Sequence, residues 1–399
     1  MGHAKARMQE QEALGLSRDS DLHVCADCIG DYALAAFVNE HASAGHCDFC
    51  EMTEETSFAA PLCDVVEFMA GRICEYYTHA DDIMGWDSEE DRWLDTTYDA
   101  EELFDNIGYR PDNNDLITEI LSCFDDRAWC DESWPAMTAG KRWRFGWDRF
   151  KEVVKHRRRY TFWSMEDEAE DKDHPDYFAI GKVLEEIGGV IRSSGLVHTV
   201  KAGSAYWRVR SHGPEVAYTQ GSELSPPPDG KAMQANRMSP AGIAMFYGAG
   251  DWQTACVETI DHSDSQKTHV SGGLFRSVRN LDLLDLTQLP CQPSFFDQAA
   301  DQLRTNLGFL HSFVRDMSKP IKRENSAHID YVPTQAFTEY IRYKRNSVAD
   351  VAWMASCTGV PRMAGSVWSC SVDSKSALPR QGRSAHHGGL SWTQAQFAP

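Results

Sequence analysis

Apolar residues recur at helical spacing in the first third of the chain. In the stretches 31–41, 62–73 and 114–124, an apolar residue returns every three or four positions, which places these side chains on one helix face. The middle stretch carries Leu62, Val65, Val66, Met69 and Ile73. The pattern predicts a mostly helical N-terminal unit with one apolar face per helix.

From residue 206 the pattern changes to short alternating or apolar runs. Tyr206–Arg210, Ile243–Tyr247 and Leu281–Leu286 predict strands. Asp251 can cap the start of a helix, and Pro333 suits the first turn of another. Strands interspersed with short helices predict an α+β C-terminal unit.

A charged run separates the two patterns. Residues 165–176 read MEDEAEDKDHPD, which predicts a linker or exposed loop. Beyond it, apolar spacing from Val183 to Ile191 predicts a short helix that breaks at Gly188 and Gly189. The predicted divisions are 20–165 (helical), 166–200 (linker and short helix), 201–350 (α+β) and 351–399 (an aberrant tail).

Composition narrows the function classes. The 399 residues carry a formal net charge of −21, which argues against binding RNA or an anionic membrane. No apolar run reaches the roughly 18 residues of a membrane span. The first residues also lack the apolar core of a signal peptide. We therefore expect a cytoplasmic protein.

Two CxxC pairs predict a metal site. Cys25 with Cys28, and Cys47 with Cys50, each place two thiolates on one short loop. The predicted helix between them can bring the pairs together as a closed tetrahedral zinc site with a structural role. The alternative is four free thiols.

Three polar residues mark the C-terminal unit. Arg237 lies in a loop rich in Gly and Pro, Tyr247 ends a predicted strand, and Glu258 follows on a predicted helix. A guanidinium can bind a pyrophosphate, an aromatic ring can stack on a nicotinamide, and a carboxylate can stabilise a cation at an anomeric carbon. Arg208 could clamp a phosphate or ribose. From the residues alone, each could equally be structural.

Residues 206–260 resemble a RES domain. The resemblance rests on Arg208 after an aromatic residue, Arg237-Met-Ser-Pro-Ala-Gly, Phe246-Tyr247-Gly, Ala255-x-x-Glu258 and the later Tyr331-Val-Pro-Thr-Gln. It implies a fold similar to ADP-ribosyltransferases and an activity that splits the nicotinamide–ribose bond of NAD with phosphate or water. It also implies Arg237, Tyr247 and Glu258 as active-site residues, and an antitoxin protein as a partner.

The N-terminal unit resembles the HEPN-type domain that precedes some RES domains. HEPN ribonucleases use an Arg and a His at a spacing such as that of Arg149 and His156 on the basic stretch 146–160. The resemblance therefore leaves RNA cleavage as one alternative function. The other interpretation of the stretch is a basic helix that faces the acidic segments. A further alternative for the whole chain is a nucleotide-binding regulatory protein without turnover.

The tail departs from the RES pattern. The family's third signature residue, a Ser, is followed by Gly-Gly and a short apolar strand, which residues 351–399 do not show in frame. In a shifted reading frame, each codon consists of the third base of one residue's codon and the first two bases of the next. The codon that spans Trp353 and Met354 must then encode Asp, and the codon that spans Met354 and Ala355 must encode Gly. The codons that follow permit the family's Tyr, Ser-Ser, Gly-Gly and apolar strand. This predicts a frameshift between about 344 and 353. The alternative is that the printed frame is correct, in which case Asp350 matches the family's Asp and Ser356 matches its signature Ser.

Overall fold

A computed structural model describes most of the chain. The described residues are 2–164, 179–228, 230–260, 266–287, 289–319, 327–343, 352–355, 367–370 and 390–393. The chain splits into two compact units, residues 1–140 with 292–305 and residues 141–291 with 306–399. Among the described helices, none combines the length and the apolar character that a membrane crossing requires.

The first unit is mainly helical, as predicted. Its helices are α1 (Gly2–Ala13), α2 (Ala26–Ile29), α3 (Tyr32–Glu40), α4 (Leu62–Cys74), α5 (Ala80–Ile83), α6 (Ala100–Ile107) and α7 (Asn114–Cys123). Short strands pair antiparallel: β1 (His23–Cys25) with β2 (Ala59–Pro61), β3 (Tyr77–His79) with β6 (Trp129–Asp131), and β4 (Trp86–Asp87) with β5 (Arg92–Trp93).

Polar caps define where these helices begin. The Asp31 carboxylate accepts from the backbone N–H groups of Ala33 and Leu34, and this starts α3 between the two CxxC pairs. Asp99 and Glu102 form a capping box at the start of α6. These caps satisfy N–H groups that would otherwise lack partners, each worth about 1 kcal/mol.

The core of the first unit lies under α4. Val65, Met69 and Ile73 are fully buried, as their spacing predicts, and Trp129 of β6 packs into the same cluster. Burying one such side chain contributes about 1.5–3 kcal/mol. This core holds α3 and β1, and therefore the loops that carry the cysteine pairs.

The second unit combines helices with one large sheet. Its helices are α8 (Ala139–His156, from Lys141 on), α9 (Val183–Ser193), α10 (Gly221–Leu224), α11 (Trp252–Thr259), α12 (Asp301–Ser318, from Asn306 on), α13 (Ala327–Asp330) and α14 (Val332–Tyr343). Buried faces of α8, α9, α12 and α14 share one apolar core around Phe150, Ile187, Phe313 and Phe337. The mixed helix and sheet class agrees with the α+β prediction.

The sheet of the second unit has eight described strands. They are β7 (Val197–Val200), β8 (Ala205–His212), β9 (Phe246–Ala249), β10 (His269–Ser277), β11 (Leu281–Asp285), β12 (Ala352–Ala355), β13 (Val367–Cys370) and β14 (Leu390–Thr393). Their order is β14-β10-β8-β9-β13-β12-β11-β7. The β11–β12 pair is parallel, and the other pairs are antiparallel.

Two predictions about local structure are wrong. Helix α9 continues through Gly188 and Gly189 to Ser193. A Cβ at Gly188 would lie 3.0 Å from the Tyr340 ring, so glycine there permits close packing against α14 instead of ending the helix. The strand expected at Ile243–Tyr247 begins only at Phe246, because Ile243 is still in a turn in which its N–H donates to the Pro240 carbonyl.

The expectation that the tail contributes no strand is also wrong. Strands β12, β13 and β14 all come from residues 351–399, and β13 lies between β9 and β12. Non-local pairing selects these short segments, whose own sequence pattern is too weak to predict a strand. The change of reading frame between about 344 and 353 stays a prediction about the gene.

Candidate functional site

Tyr247 projects from β9 toward the helical core of the second unit. Side chains alternate along a strand, so Phe246 packs with Tyr206 and Phe275 on one face, while Tyr247 packs with the α-helical cluster on the other. The phenol oxygen of Tyr247 lies 2.8 Å from the Ser239 hydroxyl. This bond connects the end of the strand to the loop that carries Arg237.

Glu258 lies on α11, on the same face of the sheet as the Tyr247 side chain. Asp251 caps this helix as predicted, because its carboxylate accepts from the Thr254 N–H at 2.8 Å. Ala255 then packs against Val209 and Ala249 of the sheet. The structure thus brings two of the predicted residues, Tyr247 and Glu258, to one face.

Burial shapes the acidity of Glu258. Its carboxyl group is half-buried, and desolvation raises its pKa above the ordinary value, while the nearby charge of Arg237 lowers it in part. No described residue forms a hydrogen bond with this carboxylate. A partly desolvated carboxylate interacts more strongly with a positive centre than one in water does.

Arg237 is held at the end of a helix. Its guanidinium donates to the Met317 carbonyl and, at 2.7 Å, to the Lys319 carbonyl, in and just after the last turn of α12. A cation at this position satisfies carbonyls that the helix leaves without partners. Two of the five N–H donors of the guanidinium are used in this way, and the other three have no hydrogen-bond partner among the described residues.

Helix α14 clamps the loop around Arg237. The Thr334 hydroxyl donates to the Arg237 carbonyl at 2.5 Å, and the Gln335 amide donates to the carbonyls of Asn236 and Ser239 at 2.7 and 3.3 Å. Both side chains are buried. Sequence reasoning placed Thr334 and Gln335 in a family motif without a role, and it did not single out Ser239. The signal for this clamp was the Thr-Gln pair in the first turn of a predicted helix.

Arg208 lies on the other face of the sheet. It donates to the backbone carbonyl of Tyr247 at 2.7 Å, and its guanidinium lies 5.1 Å from the centre of the Phe246 ring. Burial, and next the like charge of Arg210, lower the pKa of Arg208 to about 9, so it stays cationic at neutral pH. The structure brings Arg208 to the backbone of Tyr247 but not to its side chain.

The predicted Ser356 lies outside the described residues, and so does its in-frame companion Asp350. The strand that pairs with β9 on this side is β13, in which Ser369 is the register partner of Tyr247. The candidate site therefore consists of Arg237, Tyr247, Glu258 and the clamp residues Ser239, Thr334 and Gln335.

The four predicted cysteines of the first unit come together. The sulfur atoms of Cys25, Cys28, Cys47 and Cys50 all lie within 4.8 Å of one another. The Cys25–Cys50 and Cys28–Cys47 sulfur pairs are 3.8 and 3.9 Å apart. A tetrahedron with Zn–S bonds of about 2.3 Å has edges of about 3.8 Å, so the cluster fits a metal of this type.

Arg149 and His156 both lie on α8. Arg149 is half-buried and His156 is exposed in the last turn of the helix. The basic helix predicted from residue 146 thus begins earlier, at Ala139, and ends at His156. The three arginines that follow, Arg157, Arg158 and Arg159, lie beyond its end.

Comparisons with known families found two matches. Residues 40–168 match the family HEPN/RES N-terminal domain 1, and residues 205–357 match the RES domain. The cysteine cluster at 25–50 lies at and just before the start of the first match. A search of curated proteins and a search of solved structures each found no match.

Proposed function

The chain contains a HEPN/RES N-terminal domain 1 followed by a RES domain, and from this we propose that it cleaves the nicotinamide–ribose bond of NAD. RES domains belong to NAD-acting toxin families. The observation that carries the proposal is the placement of Tyr247 and Glu258 on one sheet face, beside the loop of Arg237.

Each residue of the site has a role in this proposal. As the nicotinamide leaves, positive charge develops on the ribose, and the Glu258 carboxylate stabilises it. The Tyr247 ring stacks on the nicotinamide or ribose and is oriented by Ser239. Arg237 binds the pyrophosphate with the N–H groups that the α12 carbonyls do not use. Arg208 supports the backbone of Tyr247 and adds positive charge behind the strand.

The cysteine cluster is proposed to hold zinc in a structural role. Four thiolates complete a tetrahedral shell and leave no position for a substrate. The metal would fix the loops on both sides of α3, which carry only short strands and turns of their own. An antitoxin protein as binding partner remains a prediction from the family resemblance.

Nicotinamide release from NAD tests the proposal. Purified full-length protein is incubated with NAD, and the products are separated by chromatography with and without added phosphate. We expect nicotinamide, together with ADP-ribose if water is the acceptor or its 1″-phosphate if phosphate is. Glu258→Ala should abolish release. The matched control is Glu186→Gln, since Glu186 is exposed on α9.

The alternatives give different results. A nucleotide-binding protein without turnover would bind NAD in calorimetry and release no nicotinamide. A ribonuclease acting through Arg149 and His156 would degrade RNA and would lose this activity in His156→Ala, with NAD left intact. Either result would contradict the proposal.

A further inference from the structure

The second unit contains a cavity that the proposed NAD site does not use. Its volume is 810 Å³, within the range of pockets for small organic ligands. Residues of the segment 159–163 form one wall, and helix α14 and the loop 235–241 form others. The residues that bear on its chemistry are Arg159, Tyr160, Trp163, Gln335, Glu339 and Tyr340.

The segment 159–163, which follows α8, is held in place by packing against the core and by a hydrogen bond of its own. Phe162 packs edge-on against Phe150 of the core with ring centres 5.2 Å apart. The Trp163 indole N–H donates to the Tyr160 carbonyl at 3.0 Å. A Cβ at Gly181 would lie 2.8 Å from the Trp163 carbonyl oxygen, so glycine there permits this close packing. The backbone of the segment is therefore fixed while two of its aromatic side chains face outward.

These two aromatic rings are open to a ligand. Tyr160 is 83% exposed and Trp163 is 67% exposed, although both line the cavity. Large aromatic rings on a fixed backbone lose little entropy when a planar ring stacks on them, and such stacking is worth about 1–3 kcal/mol for a nucleobase. The cavity wall thus offers a stacking surface.

A cation lies beside this stacking surface. Arg159 is half-buried, and its guanidinium forms no hydrogen bond or ion pair with any other described residue. Arg157, two residues earlier, differs from Arg159 because it forms an ion pair with Glu152 at 3.6 Å. In a protein with a net charge of −21, a free guanidinium in a cavity is available for an anionic group such as phosphate.

We propose that this cavity binds a nucleoside phosphate, with the base stacked on Tyr160 and Trp163 and the phosphate on Arg159. The buried Gln335 forms part of its floor, and the Glu339 carboxylate at the rim can accept from sugar hydroxyl groups. Among the described residues that line the cavity, Arg159 is the one arginine or lysine, and such a site fits a small ligand better than a nucleic acid, which needs a row of cations. Because Gln335 also holds the Arg237 loop, the ligand would contact the support of the proposed catalytic site.

Isothermal titration of the full chain with AMP tests the proposal. We expect saturable binding of AMP, and binding at least tenfold weaker for adenosine and for inorganic phosphate. Arg159→Gln should weaken AMP binding roughly tenfold to a hundredfold, the usual effect of losing a charged hydrogen bond. Arg157→Gln is the matched control and should bind AMP like the wild type, because Arg157 does not line the cavity.

The stacking surface is tested by Trp163→Ala and Tyr160→Ala, with circular dichroism to show that the fold is retained. Both should weaken AMP binding at least fivefold without changing the helical signal. The proposal is overturned if AMP does not bind, if Arg159→Gln binds it as well as Arg157→Gln does, or if AMP competes with NAD in a manner unaffected by Arg159. Tighter binding of a short single-stranded RNA, weakened equally by both arginine variants, would also overturn it.

Discussion

The Tyr247 phenol and the Ser239 hydroxyl lie 2.8 Å apart and connect strand β9 to the loop of Arg237. The same loop is held from the other side by Gln335, which donates to the Ser239 carbonyl. Tyr247 and Arg237 are therefore fixed relative to each other through one buried serine. Ser239, which lies between Arg237 and Tyr247 in the sequence, thus has the role of connecting these two residues.

Replacing Ser239 should impair turnover more than folding. Ser239→Ala removes the partner that orients the Tyr247 ring, and a net hydrogen bond of about 0.5–1.5 kcal/mol corresponds to a loss of roughly two- to tenfold in kcat. The measurement is the steady-state rate of nicotinamide release. Ser204→Ala is the control, since the Ser204 hydroxyl bonds only within a surface turn to Lys201. Equal rates of nicotinamide release for both variants would show that Ser239 has no role in turnover.

The raised pKa of Glu258 predicts a pH-dependent cost in stability. An acid with a folded-state pKa above its unfolded value stabilises the fold below the unfolded pKa, and that contribution is lost as pH rises through the folded pKa. Glu258→Gln should therefore raise the melting temperature at pH 7, and the gain should shrink as pH falls through the raised folded-state pKa and disappear below the ordinary value of about 4.5. Thermal unfolding of both proteins across this range is the check. A gain that grows toward acid would contradict the burial of this carboxyl group.

Arg237 should contribute to stability as well as to substrate binding. Arg237→Gln removes the guanidinium that donates to the Met317 and Lys319 carbonyls at the end of α12, which should cost about 1–2 kcal/mol. The proposed pyrophosphate contact adds a second effect, a rise in KM for NAD. Arg315→Gln, an exposed site in the last turn of the same helix, should leave KM unchanged and cost less stability than Arg237→Gln, because it loses only the interaction of its charge with the helix end. A loss of stability with KM unchanged would make Arg237 a helix cap and nothing more.

The cysteine cluster should bind one zinc ion per chain. Elemental analysis of purified protein is expected to show stoichiometric zinc in the wild type and in Cys63→Ser, because Cys63 lies outside the cluster. Cys47→Ser removes a fully buried ligand and should lose most of the metal and lower the melting temperature. Full zinc content in Cys47→Ser would contradict the site.

The gene sequence tests the predicted change of frame in the tail. Across codons 344–362, the shifted frame should encode Asp-Gly, two residues, Tyr, one residue and Ser-Ser, followed by Gly-Gly. Reading the DNA from an independent source is the measurement. If the open frame there encodes the printed residues, and the shifted frame lacks this pattern, the hypothesis fails.

Local signals in the sequence predicted local structure well. The spacing of Leu62 to Ile73 and the position of Pro333 predicted α4 and the start of α14, because one helix face suffices to specify each. The CxxC pairs predicted the sulfur cluster because the two cysteines of each pair lie on one short loop. Pairings between distant segments were not predictable. The Gln335 clamp, the close packing at Gly188 and the insertion of β13 beside β9 depend on side chains that meet only in the folded chain.

The position of β13 has a consequence for synthesis. Strand β9, which presents Tyr247, pairs with β8 on one side and acquires its second neighbour only when Val367–Cys370 has been made. At ordinary translation rates this segment follows β9 by on the order of ten seconds. A nascent chain would therefore carry Arg237, Tyr247 and Glu258 on an incomplete sheet until β13 has left the ribosome. On the proposed function, NAD cleavage that depends on the completed sheet would begin only after β13 has been made.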